Sequence, residues 1–132
     1  MPEINWIAVV IATLGAFAAG AVWYSPLLFS KAWQREIGMT DADLNGANMP
    51  LMFGGTLVLL LLASIVFAMF LGPTPGLQLG IGAGFSAGLF WVAAGLGINY
   101  LYERRSLKLW LINGGYNVVT FTIIGAVIGA MG

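Results

Sequence analysis

The chain has 132 residues, of which 60% are hydrophobic and only 8% are charged, and its five basic and five acidic residues leave no net charge. A soluble domain of this size carries about 25% charged residues on a large water-exposed surface, so this composition excludes a soluble monomer as well as a disordered chain. The lack of Cys and His excludes thiol nucleophiles, disulfides and most zinc and haem sites, and zero net charge gives no electrostatic basis for binding nucleic acid.

Long uncharged runs predict an all-α integral membrane protein with four transmembrane helices in a single domain, residues 1–132. A spanning helix needs about 20 apolar residues, and the uncharged run between residues 44 and 102 is long enough for two. The segment 72–76, Gly-Pro-Thr-Pro-Gly, divides that run because prolines and glycines do not sit inside a regular helix. The predicted spans are about 4–24, 51–71, 77–100 and 109–131.

The segment 25–50 between the first two spans predicts a short amphipathic helix that lies in the membrane interface. Pro26 ends the first helix, residues 27–36 place apolar and polar side chains at helical spacing, and Gly38 ends the second helix. A plain linker whose Lys31 and Arg35 reach the lipid headgroups is the alternative interpretation. Further along, Asp41-Ala42-Asp43 is a weak metal motif that a solvated turn or helix cap explains as well.

The basic residues predict the orientation of the chain in the membrane. All five lie in the two segments 25–50 and 101–108, which share one side of the membrane if the chain crosses it four times. Because basic residues accumulate in cytoplasmic loops, both segments are predicted to be cytoplasmic and both termini to lie outside. The basic residues are Lys31, Arg35, Arg104, Arg105 and Lys108.

Two pairs of similar segments indicate an internal repeat. Residues 17–23 and 85–91 share four identities in seven positions at a shift of 68, and residues 51–55 resemble 111–115 at a shift of 60. A true duplication predicts two helical hairpins that enter the membrane in the same direction and are related by a pseudo-two-fold axis along the membrane normal. Frequent Gly and Ala leave chance similarity open as an alternative.

Small residues recur at every fourth position of the first and third spans and predict helix-packing faces of the glycine-zipper type. In lipid, close backbone contact rather than hydrophobic burial drives helix association, so helices one and three are predicted to touch each other or another subunit there. A glycine-lined substrate path is the alternative, and Leu60, by contrast, is predicted to face lipid. The stripes consist of Ala8, Ala12, Ala16 and Gly20, and of Gly76, Gly80, Gly84 and Gly88.

Polar side chains gather at the predicted cytoplasmic ends of three spans. They predict either hydrogen bonds that join the helices or a small polar pocket open to the cytoplasm, with Glu103 and the arginines at its rim. We expect Asn113 or Asn117 to hydrogen-bond to the end of the first helix, and Glu103 to pair with a basic residue. The candidate pocket residues are Tyr24, Ser25, Asn99, Glu103, Arg104, Asn113, Tyr116 and Asn117.

Two motifs carry a resemblance to a known family. Residues 23–33 read Trp-Tyr-Ser-Pro followed by Phe-x-Lys-x-Trp, and residues 103–116 read Glu-Arg-Arg followed by Lys-Leu-x-Leu-Ile-Asn-Gly-Gly-Tyr. Together they resemble the domain of unknown function 1761 family. The resemblance implies a small four-helix protein of the bacterial cytoplasmic (inner) membrane and implies no reaction.

Three classes of function stay open at this point. A small oligomeric channel- or transporter-like protein is favoured by the repeat and the glycine stripes, although no charge lies deep in a span to serve an ion-coupled pump. An accessory or structural subunit of a larger membrane complex is the alternative, and a lipid-headgroup-binding protein or enzyme is the third. Without a nucleophile–base pair we predict no catalytic residues, no enzyme activity and no cofactor or metal. The predicted partners are membrane lipid and either further copies of the chain or another membrane protein.

Overall fold

A computed structural model describes residues 4–46 and 48–131, and these residues are mostly helical with no β-strand among them. The third span is one continuous rod in which α5 (Leu77–Ser86), a π-helical segment (Ala87–Ala93) and α6 (Ala94–Glu103) follow one another. The prediction of an all-α fold is confirmed. The helices are α1 (Trp6–Trp23), α2 (Ser30–Ile37), α3 (Asp41–Asn45), α4 (Met49–Leu71), α5 (Leu77–Ser86), the π-helical segment (Ala87–Ala93), α6 (Ala94–Glu103) and α7 (Leu107–Met131).

Four of these rods are long and apolar enough to cross a membrane: α1, α4, the third span from Leu77 to Glu103, and α7. The predicted number of spans is therefore confirmed, and the third span runs a few residues beyond the predicted end at residue 100. It stops where Arg104 adopts a left-handed conformation with φ 58°. The chain ends, residues 1–3 and 132, lie outside the described residues, so their placement stays a prediction.

The segment after the first span forms two short helices, α2 and α3, where the sequence analysis predicts one, and α2 begins at Ser30 rather than at residue 27. Gly38 takes the left-handed conformation (φ 75°) that ends α2, a conformation that costs glycine little. Thr40 and Asp43 then form a capping box at the start of α3, in which each side chain accepts a hydrogen bond from the other residue's backbone. The carboxylate of Asp43 is thus a helix cap, which is one of the two interpretations that the sequence leaves open.

The last span, α7, is the centre of the helix packing. It contacts α1, α4 and all three parts of the third span, and α1 also packs against α4. The core between α1, α4 and α7 includes Ala12, Ala16, Leu60 and Ile124, all with little or no exposed surface. The third span packs mainly against α7, so it stands at one edge of the helix assembly.

The two small-residue stripes both meet α7, which corrects the expectation that helices one and three touch each other through them. A β-carbon at Gly84 or Gly88 would strike the backbone of α7, and one at Gly20 would lie 2.8 Å from the Tyr116 ring. Ala12 and Ala16 lie in the core that α1 shares with α7. Helix α7 therefore separates the two stripes.

Leu60 does not face lipid, contrary to the prediction from the sequence. Only 8% of its surface is exposed, because it packs into the core between α1, α4 and α7. The error has a physical cause: α4 is apolar on every side, so its composition does not distinguish a lipid-facing leucine from a buried one.

Burial along the helices follows the proposed repeat. A shift of 60 carries buried Leu60, Ser64 and Ala68 of α4 onto buried Thr120, Ile124 and Ile128 of α7. A shift of 68 carries buried Ala12 and Ala16 onto buried Gly80 and Gly84. This agreement supports the duplication, which stays a prediction until one rotation near 180° is shown to superpose the two hairpins.

Candidate functional site

A chain of three hydrogen-bonded side chains joins three spans at one end of the protein. The Tyr24 hydroxyl at the end of α1 donates to Asn113 Oδ1 of α7 at 2.6 Å. The Asn113 amide Nδ2 in turn donates to the Tyr100 hydroxyl of α6 at 2.9 Å. The predicted hydrogen bond between Asn113 and the end of the first helix is therefore present, and it continues to the third span.

Aromatic rings enclose the Tyr24 end of this chain. The Tyr116 ring fills the space left by the missing side chain of Gly20 and lies 5.2 Å from the Tyr24 ring, measured between centroids. The Trp33 ring of α2 packs edge-on against the same Tyr24 ring, with 5.9 Å between the two ring centroids. Helix α2 is thereby fixed to the end of α1, and the polar atoms of Tyr24 and Asn113 are only partly exposed.

The remaining predicted polar residues are satisfied locally or point away. The Asn117 amide donates to the Asn113 backbone carbonyl one turn earlier, and the Ser25 hydroxyl donates to the Val22 carbonyl. Asn99 is exposed on the surface of α6. The structure therefore brings Tyr24, Asn113 and Tyr116 together, with Asn117 beside them, and does not add Asn99 to the group.

Two tryptophans supply further links between helices that the sequence analysis missed. The Trp23 indole N–H donates to the Ile112 carbonyl, and the Trp110 indole N–H donates to the Ala93 carbonyl, each at 2.8 Å. Each bond joins α7 to a neighbouring span. The available signal was the position of both residues at span ends, where tryptophan buries its ring and keeps its N–H bonded.

The turn between the third span and α7 holds a paired acid and base. Glu103 and Arg105 form a salt bridge of 2.9 Å, which confirms the predicted pairing of Glu103 with a basic residue. The Arg105 guanidinium lies 6.0 Å from the centre of the Tyr100 ring. Arg104 is exposed and takes no part in the salt bridge.

Ser106 connects this turn to α2, a contact that the sequence analysis did not predict. Its hydroxyl donates to the Glu36 carboxylate and also accepts the backbone N–H of Leu109 at 3.0 Å, so it caps α7. A serine directly before a long apolar run is a recognisable cap signal. The contact shows that the basic segments 31–35 and 104–108 lie at the same end of the protein.

The cavities do not coincide with the predicted polar pocket. A cleft of about 370 Å³ opens between the third span and α7, and its lining is mostly apolar and includes none of the eight predicted pocket residues. A cavity of about 240 Å³ lies at the opposite end, beside Asn5. Within residues 4–46 and 48–131 no group of three or more acidic side chains is placed to hold a metal ion.

The comparisons with known proteins agree with the two motifs noted in the sequence. A family model described as "Protein of unknown function (DUF1761)" matches residues 7–129, nearly the whole chain. Neither a curated protein nor a solved structure matches the chain.

Proposed function

Since the chain belongs to the DUF1761 family of unknown function, we propose from its geometry that it is a structural subunit of a larger membrane assembly. The observation that carries this proposal is the open packing of the helices. The third span is attached to the rest through α7, and large parts of α4 and of the third span have no neighbour within the chain.

Exposed glycines on these free faces support lateral association. A β-carbon at Gly54 of α4 or at Gly82 of α5 would meet nothing within 4 Å. Glycine in a helix costs about 1 kcal/mol relative to alanine, and its compensation in membranes is close approach of another helix. The free faces of both helices are therefore suited to a second chain.

The pairing of the polar side chains argues against a transport path inside one chain. Asn113 uses both its amide oxygen and its amide nitrogen to bind tyrosine hydroxyls, and Glu103 is bound by Arg105. Groups that are engaged in this way hold helices together and are not free to coordinate a passing solute. The polar cluster around Asn113 is better explained as a set of hydrogen bonds that hold the spans together.

An oligomeric channel or transporter is the second candidate, with its path between copies of the chain. The exposed faces around Gly54 and Gly82 favour it as well, because close helix contacts build a ring of subunits. In this alternative the copies alone are sufficient for activity. In the structural-subunit proposal, a different membrane protein supplies it.

The orientation forms part of the proposal. We place α2, α3 and the turn at 104–106 in the cytoplasm of a bacterial inner membrane, because four of the five basic residues lie in these segments and the fifth, Lys108, lies in the first turn of α7. The Ser106–Glu36 contact supports their position on one side. Both chain ends then lie outside.

Measuring the mass of the protein in mild detergent, before and after Gly54→Leu and Gly82→Leu, tests the proposal. The parent protein should purify as a complex larger than one chain, with a partner at fixed ratio, and at least one variant should release the single chain. A lone parent monomer contradicts both candidates. Solute flux through liposomes that contain only this chain contradicts the structural-subunit proposal and supports the channel.

A further inference from the structure

The cleft between the third span and α7 is a groove on the side of the protein, open toward the surrounding lipid. Gly97 and Trp110 form its floor, and Leu101 and Leu107 stand beside it with 80% and 70% of their surfaces exposed. Its volume of about 370 Å³ is large enough for part of an acyl chain. It adjoins the hydrogen-bonded chain at Tyr100, which lines the cleft, whereas Tyr24 and Asn113 do not.

The floor of the cleft is built by a glycine and a fixed indole ring. A β-carbon at Gly97 would lie 2.9 Å from Trp110 Nε1, so only glycine lets the indole ring pack at this position. The indole N–H is already bound to the Ala93 carbonyl at 2.8 Å, which holds the ring in place. The floor therefore offers a flat apolar surface with no free donor, which suits a hydrocarbon chain.

A basic residue stands at the mouth of the cleft. Arg105 lines it, and its position is fixed by the Glu103 salt bridge through Nε and by the nearby Tyr100 ring. No hydrogen bond to its two terminal nitrogens is present among the described residues. A guanidinium with a fixed position and free terminal nitrogens is suited to bind a phosphate oxygen.

The charge around the mouth favours an anionic ligand. Residues 103–108 contain three basic residues and one acidic residue, and Arg104 and Lys108 are both exposed. The acid, Glu103, is paired with Arg105, and Glu36 of α2 is bound by Ser106. Charged residues at the end of a span lie at the depth of the lipid headgroups, directly above an acyl chain in the cleft.

We propose that this cleft binds one anionic phospholipid, with an acyl chain over Gly97 and Trp110 and the phosphate at Arg105, assisted by Lys108. The proposal is independent of the assembly proposed above, because it depends on a cleft within one chain. It assigns the apolar lining around Trp110 to the acyl chain of the ligand and the guanidinium of Arg105 to its phosphate.

Native mass spectrometry of the full-length protein in detergent, with added phosphatidylglycerol or phosphatidylcholine, tests this site. The protein should retain one phosphatidylglycerol in preference to phosphatidylcholine, and Arg105→Gln should lower that retention about tenfold. Lys31→Gln is the matched control, because it removes an exposed positive charge from the same end of the protein. Circular dichroism should show the same helix content in all three proteins.

A second measurement locates the acyl chain. Phosphatidylglycerol with brominated acyl chains should quench the tryptophan fluorescence of the parent protein more than that of Trp110→Phe, because bromine quenches only at contact. Equal retention of the two lipids, equal loss in Lys31→Gln and Arg105→Gln, or quenching that is unchanged in Trp110→Phe would overturn the proposal. Displacement of the lipid by excess inorganic phosphate alone would also overturn it, since the ligand would then be a free anion.

Discussion

Gly80 and Gly125 pack so closely that each occupies the space of the other's missing side chain. A β-carbon on Gly80 would strike the carbonyl oxygen of Gly125, and a β-carbon on Gly125 would strike that of Gly80. The contact is reciprocal and involves backbone on both sides, so neither helix has a flexible group that can move aside. Together with Gly84 and Gly88, these two residues bring the third span directly against the backbone of α7.

Gly80→Ala should separate the third span from α7, because the added methyl group meets rigid backbone. Gly95→Ala is the matched control: it lies on the same span and its β-carbon would meet nothing within 4 Å. Thermal unfolding in detergent should show a clear loss of stability for Gly80→Ala and little change for Gly95→Ala. Gly84→Leu and Gly88→Leu, whose β-carbons also meet α7 backbone, should disrupt folding more severely. Equal stability of the two alanine variants would contradict the packing.

Tyr24→Phe should destabilise the end of the helix assembly, since it leaves Asn113 Oδ1 without its donor at 2.6 Å. A lost hydrogen bond between membrane helices costs about 0.6 kcal/mol on average, and an unpaired buried acceptor raises this toward about 1–3 kcal/mol. Tyr102→Phe removes the same hydroxyl from a side chain that is 85% exposed and should have no effect. Unfolding in a denaturing detergent measures both, and a larger effect at Tyr102 would argue against the cluster.

Leu60→Ala should destabilise the protein, whereas Leu59→Ala should not, because Leu60 is buried and Leu59 is 69% exposed. The expected loss is about 1–2 kcal/mol, below the usual range for a leucine in a soluble core. In lipid the transfer contribution is absent and only the packing and cavity contributions remain. The same unfolding assay compares the two neighbours, and similar losses would indicate that α4 is rotated from its described position.

Single cysteines report the orientation directly, because the chain has no cysteine of its own. Thr74→Cys should react with a membrane-impermeant reagent added outside whole cells. Asp41→Cys and Ser106→Cys should react only after the membrane is opened, since both residues are exposed at the basic end. A cysteine at residue 132, outside the described residues, should behave like Thr74→Cys. The reverse pattern would contradict the proposed orientation.

The capping box at α3 should weaken in acid. Two groups of Thr40 hold the pKa of the Asp43 carboxyl below its usual range. They are the backbone N–H, which donates to the carboxylate at 2.9 Å, and the hydroxyl. A lowered pKa in the folded state means that the cap is intact above the ordinary aspartate pKa and is lost as the pH falls through the lowered value. An NMR titration should show this lowered midpoint for Asp43, and Asp43→Asn should abolish the pH dependence of the Thr40 amide shift. A midpoint at or above the ordinary value would contradict the capping box.

The sequence predicts the parts of this fold that depend on depth in the membrane. Charges and span ends place Tyr24 and Asn113 at the same depth, and two polar groups at one depth in an apolar medium must find partners. The rotation of each helix is not readable in the same way. The prediction that Leu60 faces lipid is wrong because lipid is as apolar as the protein core. In soluble helices a buried face is marked by periodic hydrophobic residues, and α4 has no such periodicity.

The glycine stripes show a second limit of sequence reasoning. Gly80 and Gly84 indicate that some helix approaches closely, but a surface without side chains has no shape that specifies the partner. The identity of that partner, α7, depends on Gly125 and on the way the hairpins fold back, which is a property of the whole assembly. The links from Trp23 and Trp110 were missed because their acceptors are backbone carbonyls, which every sequence supplies.

The central position of α7 has a consequence for the order of biosynthesis. Translation produces α1, α4 and the third span before α7, and until α7 emerges the third span lacks the surface against which it packs. Before α7 is inserted, the α1–α4 hairpin and the third span are therefore expected to be separate in the membrane. Final assembly is a late step that follows insertion of the last helix, and ribosome-stalled chains that end before Leu107 should leave the third span open to proteases or to membrane chaperones.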